Sequence, residues 1–71
     1  MAKYDEVSVC IDTSSPNGNA YAILGICTQA LLEYGVPEAE IVYYTEEATA
    51  GDYENLLAVT EEWLDVDFYA S

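Results

Sequence analysis

Two thiols (Cys10 and Cys27), one amine (Lys3) and fourteen carboxylates are the chemically capable side chains of a chain that contains no histidine. A thiol or hydroxyl nucleophile needs a positioned base or a positive neighbour to become reactive. The chain supplies no imidazole, and its one Lys or Arg side chain lies near the start. The residue set argues against Ser-His-Asp and Cys-His chemistry, so the protein is expected not to be an enzyme. Paired carboxylates can hydrolyse glycosides, but a chain of 71 residues rarely builds the concave cleft that such a substrate needs.

Oxygen ligands for calcium are available as Asp65 with Asp67, or as Asp52, Glu54 and Asn55. Neither set matches a calcium loop with its internal Gly and closing Glu. Zinc is poorly served by two separated cysteines and no histidine. Asn17-Gly18-Asn19 occupies the place of a phosphate-binding turn but lacks the Lys and the fuller glycine pattern. A turn followed by a helix cap accounts for it. No metal and no cofactor are expected.

The formal net charge of −13 restricts the partners. A surface this acidic repels nucleic acid and anionic membrane and attracts basic protein surfaces. Acidic chains that stay disordered are poor in aromatic and aliphatic residues. Here hydrophobic residues make up 52% and aromatics 13%, so residues 1–71 are expected to fold as a single acidic domain. Cys10 and Cys27 are too few for a secreted disulfide framework and are expected to be two buried thiols. No basic leader precedes an apolar stretch, and no apolar run reaches membrane-spanning length, which points to the cytoplasm.

From Tyr4 to Asp12, Val7, Val9 and Ile11 alternate with Glu6, Ser8, Cys10 and Asp12, the period of a half-buried strand. Thr13 to Gly18 reads as a loop, and Asn19 is placed to cap a helix. From Ala20 to Tyr34 the stripe Ala20, Ile23, Leu24, Cys27, Leu31 and Tyr34 has helical spacing. Tyr21, Ile26 and Leu32 lie off that stripe, which makes them a candidate dimer interface. Gly25 inside this helix is expected to mark close packing against a neighbouring backbone. Gly35 stops the helix, and Pro37 is expected to open a second one.

Ile41 to Tyr44 suit a strand by composition, but Pro37, Ile41, Tyr44 and Ala48 share a helical face, and helix is the expectation. Asp52 is placed to cap a third helix, whose apolar face is Tyr53, Leu56, Leu57, Thr60, Trp63 and Leu64. Val66 and Phe68 alternate with Asp67 and Tyr69 as a short closing strand. The fold class is therefore α+β, a small single domain in the order β-α-α-α-β. Its two-stranded sheet is marginal alone, and a homodimer would complete it.

The segments GNAYAILG (Gly18 to Gly25), ALLEYG (Ala30 to Gly35) and EEATAGDYENLL (Glu46 to Leu57) resemble a group of small uncharacterised proteins of phages and other mobile elements. The likeness covers much of the chain from Gly18 to Trp63 and implies a phage-like origin without assigning any site. This chain is more acidic than that pattern.

The acidic surface itself remains as the candidate site. Glu40, Tyr43, Glu46 and Glu47 are expected on the outward face of the second helix. Glu54, Glu61 and Asp65 form an expected column on the third helix, with Glu62 beside it and Asp67 beyond. Carboxylates one helical turn apart are spaced by about 5–6 Å, on the scale of phosphate separations along a nucleic-acid strand. The expectation is an acidic, phage-like protein that binds and blocks a basic, nucleic-acid-binding surface of a host enzyme or defence complex. The alternative is a small non-catalytic adaptor or structural homo-oligomer built on the apolar first helix.

Overall fold

Alternation at the two ends of the chain produces two strands that pair with each other. In the computed structural model, which describes residues 2–14 and 19–70, β1 (Tyr4–Asp12) and β2 (Leu64–Tyr69) form a two-stranded parallel sheet. Ser8 lies opposite Asp65, Val9 opposite Val66, Cys10 opposite Asp67, and Ile11 opposite Phe68. Tyr4 pairs with Leu64, so the register shifts between Tyr4 and Ser8. Val7, Ile11 and Leu64 are buried on the inner face; Glu6, Ser8, Cys10, Asp65, Asp67 and Tyr69 are exposed on the outer one. Of the loop expected between Thr13 and Gly18, residues 15–18 lie outside the described residues.

Three helices connect the strands: α1 (Ala20–Tyr34), α2 (Glu38–Ala48) and α3 (Tyr53–Trp63). The Asn19 side chain accepts the Ala22 N–H at 2.8 Å, and the Asp52 side chain accepts the Asn55 N–H at 3.0 Å. Each cap satisfies a backbone donor that the first helical turn leaves unpaired. Gly35 ends α1 with φ 104°, a left-handed conformation that suits glycine, and Val36 then donates its N–H to the Leu31 carbonyl and buries its side chain. Residues 41–44 are helical, with Tyr44 and Ala48 buried. Pro37 precedes α2 and accepts the Glu40 and Ile41 N–H groups through its carbonyl.

Several expectations are corrected. Leu64 and Asp65 belong to β2 and not to the third helix: α3 ends at Trp63, and Leu64 is already extended (φ −144°, ψ 167°). Leu64 is buried in the observed strand, and an apolar helix face would also bury it, so only the ladder with β1 decides the boundary. Val59 takes a core place, whereas Tyr53 in the first turn of α3 and Tyr34 in the last turn of α1 are exposed. Cys10 is exposed on the outer face of the sheet; only Cys27 is buried. Gly25 is exposed, and among the described residues a Cβ built there meets nothing within 4 Å beyond its own helix backbone, so it marks no close packing against another element.

The core centres on Tyr44 and Trp63, whose ring centroids are 5.7 Å apart. The Tyr44 hydroxyl is fully buried and shares a hydrogen bond of 2.7 Å with Thr60 Oγ1, which is fully buried too. A buried hydroxyl stripped of its partner costs about 1–3 kcal/mol, whereas removing both partners together is nearly neutral. Tyr44→Phe is therefore expected to lower stability by about 1–2 kcal/mol in chemical denaturation. Adding Thr60→Val should recover most of the loss.

Candidate acidic interface

Lys3 is the one Lys or Arg side chain of the protein, and it forms a surface ion pair with a carboxylate of α2. Its Nζ lies 3.1 Å from Glu40 Oε1 and 4.3 Å from the centroid of a Trp63 ring. Tyr4 donates its hydroxyl to the same Glu40 oxygen at 2.8 Å and stacks on Trp63 with centroids 6.2 Å apart. The hydrogen bond from Tyr4 and the Lys3 ammonium together hold the Glu40 carboxyl below its ordinary value. The same hydrogen bond pushes the Tyr4 phenol up. Glu40 is thus a tie between α2 and the start of β1, with its side chain still 39% exposed beside Tyr43 and Glu47.

Lys3 to Glu40 is the only ion pair among the described residues. Glu46, Glu47, Glu54, Glu61, Glu62, Asp65 and Asp67 are exposed and make no ion pair with another described residue. Tyr43 is 67% exposed, and Glu46 and Glu47 are exposed beside it. Tyr43 and Glu47 line one side of a groove of about 300 Å³ that also contains Lys3, Ala39, Glu40 and Trp63. On α3, Glu54, Glu61 and Glu62 are exposed.

At the far end of α3 the strands join this surface. Asp5, Glu61, Glu62 and Asp65 line a single groove of about 430 Å³ with Ala2, Leu64 and Val66. The Lys3 backbone N–H, bonded to the Glu62 carbonyl at 2.8 Å, holds the start of β1 against the end of α3. Asp65 and Asp67 alternate outward along β2 and share the open sheet face with Glu6. The expected helical column is thus broken at Asp65: Glu61, Glu62 and Asp65 gather around the junction of α3 with the sheet, while Glu54 stays in the first turn of α3. Asp5 and Glu6 join the set. The outward direction of Glu6 is readable from strand alternation, whereas Asp5, on the parity of the inward Val7, is exposed where the register shifts between Tyr4 and Ser8 and meets Glu61, Glu62 and Asp65 there.

The expected dimer residues do not form one face. Tyr21 and Leu32 are exposed along one stripe of α1, while Ile26 is half-buried, roughly 120° round the helix from Leu32 at 3.6 residues per turn.

Other chemistry finds little support. Burial pushes the Cys27 thiol up to about 11, with a hydrogen bond to Tyr44 acting in the opposite direction, so it is a protonated core thiol at neutral pH. Among the described residues no group of three or more His, Cys, Asp or Glu is placed to hold a metal ion. Asp52 and Asn55 are engaged in the α3 cap, and Asn55 Nδ2 donates to the Glu47 carbonyl at 3.0 Å. Asn17 and Gly18 lie outside the described residues, and Asn19 acts as a helix cap. Among the described residues no helix is long and apolar enough to cross a membrane. Comparison with protein-family models, with curated proteins and with solved structures returns no match.

Two measurements check this geometry. Because the folded-state value of Glu40 is depressed below 4.5, its stabilisation is fully present above that pH and is lost as pH falls through the lowered value. Thermal unfolding followed by circular dichroism should show Glu40→Gln melting below the parent protein at neutral pH. The gap should close in strongly acid solution. Alkylation of the native protein followed by mass spectrometry should label Cys10 and spare Cys27 until the chain is unfolded.

Proposed function

We propose that this chain is a non-catalytic, phage-like inhibitor that binds a basic, nucleic-acid-binding surface of a host protein in the cytoplasm and blocks it. The observation that carries the reading is the absence of countercharge. The only Lys is paired with Glu40 at the surface, and Asp5, Glu6, Glu54, Glu61, Glu62, Asp65 and Asp67 stand exposed around α3 and the sheet. An ordinary soluble surface intersperses both signs. Rows of unpaired carboxylates instead present a polyanion to an incoming cluster of Arg and Lys, with Glu46, Glu47 and the exposed Tyr43 extending the contact along α2. The sequence resemblance to mobile-element proteins supports the phage-like origin.

Such binding is steered by charge and weakens with salt. The immobilised protein is expected to retain a nucleic-acid-binding protein from host lysate at low salt and to release it when duplex DNA is added as competitor. Affinity for the retained partner should fall on the order of 10–100-fold between about 50 and 200 mM salt. A variant carrying Glu54→Gln, Glu61→Gln, Glu62→Gln and Asp65→Asn should lose the interaction while keeping its helical circular dichroism. Binding that ignores salt, or that survives the four changes, would falsify the reading.

A further inference from the structure

The two edges of the sheet differ in what they offer. Thr13 donates its N–H to the Tyr69 carbonyl at 2.7 Å, which turns the backbone groups of Tyr69 toward β1. Along a strand these groups point alternately to one side and the other. Asp65 and Asp67 therefore also turn theirs toward β1, whereas Val66 and Phe68 present theirs to the opposite edge. Among the described residues no hydrogen bond outside the ladder reaches Val66 or Phe68. By the same alternation Ser8 and Cys10 present their backbone groups at the outer edge of β1.

Side chains along β2 add to this. Val7 and Ile11 of β1 and Leu64 at the start of β2 are buried, but Val66 and Phe68 are half-buried, as is Val9. They pack against the core and keep part of their surface open. On the outer face of β2, Asp65 and Asp67 are exposed, and neither makes an ion pair with another described residue. Free ladder groups, a partly open apolar face and two carboxylates thus fall together between Asp65 and Phe68.

We propose that β2 receives, as a third strand, an extended segment of the basic partner in which Lys or Arg alternates with apolar residues. Resting on the acidic-interface reading, this pairing specifies how the basic partner is held. A row of edge N–H and C=O groups is a template for another strand, and main-chain hydrogen bonds supply affinity in such additions. Charge sets the sequence of the segment. Lys or Arg on its outer face comes opposite or diagonal to Asp65 and Asp67, within roughly 5–8 Å, and the intervening apolar residues extend the inner face beside Val66 and Phe68. Charge also excludes a second copy, because β2 against β2 sets carboxylates on one face against each other. It selects the edge as well: between Glu6 and Asp12 the outer face of β1 offers only Ser8 and Cys10. A two-stranded sheet is marginal alone, so a third strand should stabilise the fold.

Two peptides of equal composition separate strand addition from plain attraction. One alternates Arg with Val; the other carries all its Arg residues at one end. Amide hydrogen exchange followed by NMR should show Val66 and Phe68 protected at least about tenfold more when the alternating peptide is added. The grouped peptide should bind at least about tenfold more weakly. Chemical synthesis of the chain allows backbone N-methylation, which removes one N–H and keeps the side chain. At Val66 or Phe68 it should weaken the alternating peptide by about tenfold or more, and at Cys10, on the other edge, it should leave binding unchanged. Equal binding of the two peptides overturns strand addition. So do Val66 and Phe68 amides that exchange as before, binding undiminished by N-methylation at both residues, or an equal loss from N-methylation at Cys10. The acidic-interface reading is judged separately, by salt dependence and by the four-carboxylate variant.

Discussion

Parallel pairing between the first and last strands is the constraint from which the remaining structure follows. Parallel strands cannot be joined by a tight turn and need a long crossover, usually helical. Here the crossover is α1, α2 and α3 together, and it covers one face of the sheet. Val7, Ile11 and Leu64 on that face are buried with Ile23, Cys27 and Leu31 of α1, Tyr44 of α2 and Trp63 of α3 in one core. Because α3 passes into β2 without a linker, Trp63 is held by a helix on one side and a ladder on the other. That fixed indole is the surface on which Tyr4 stacks and over which Lys3 lies, and Glu40 is drawn in to meet both.

Charge is segregated as a result. On one flank of α2, Tyr43 and Glu47 face the groove that contains Lys3 and Trp63, while Glu38 and Ile41 line the groove beside Leu32 of α1. The helix is therefore a divide between a carboxylate-rich half and an almost uncharged half. A chain with one cation has few alternatives. It cannot pair its carboxylates with cations, and the exposed face of α1 between Tyr21 and Leu32 carries none of them. The same reasoning explains why the buried polar groups are neutral: Tyr44 and Thr60 satisfy each other by a hydrogen bond and leave no buried charge to compensate.

Local features were legible in the sequence because their causes are local. Alternation around Val7, Val9 and Ile11 identifies β1, and Asn19, Gly35 and Asp52 mark helix ends through hydrogen bonds and a backbone angle that involve only near neighbours. The helical spacing of Ile41, Tyr44 and Ala48 outweighs the strand-like composition of residues 41–44, since burying Tyr44 and Ala48 requires it. The exposure of Cys10 was legible too, because it alternates with Glu6 and Ser8, although apolar composition pointed to burial. The uncharged outer stripe of α1 is likewise written in Tyr21, Gly25 and Leu32.

What the chain alone determined is therefore the order β-α-α-α-β, the helix caps and the one-sided charge of individual elements, all of which follow from spacings shorter than a few helical turns. The tertiary structure decided the direction of strand pairing, the transfer of Leu64 and Asp65 from helix to strand, the meeting of Asp5 with Glu61, Glu62 and Asp65, and the capture of Glu40 by Lys3 and Tyr4. Each of these joins residues from opposite ends of the chain or from different elements. Periodicity carries no record of such partners: it states which way a side chain points and not what comes to stand before it.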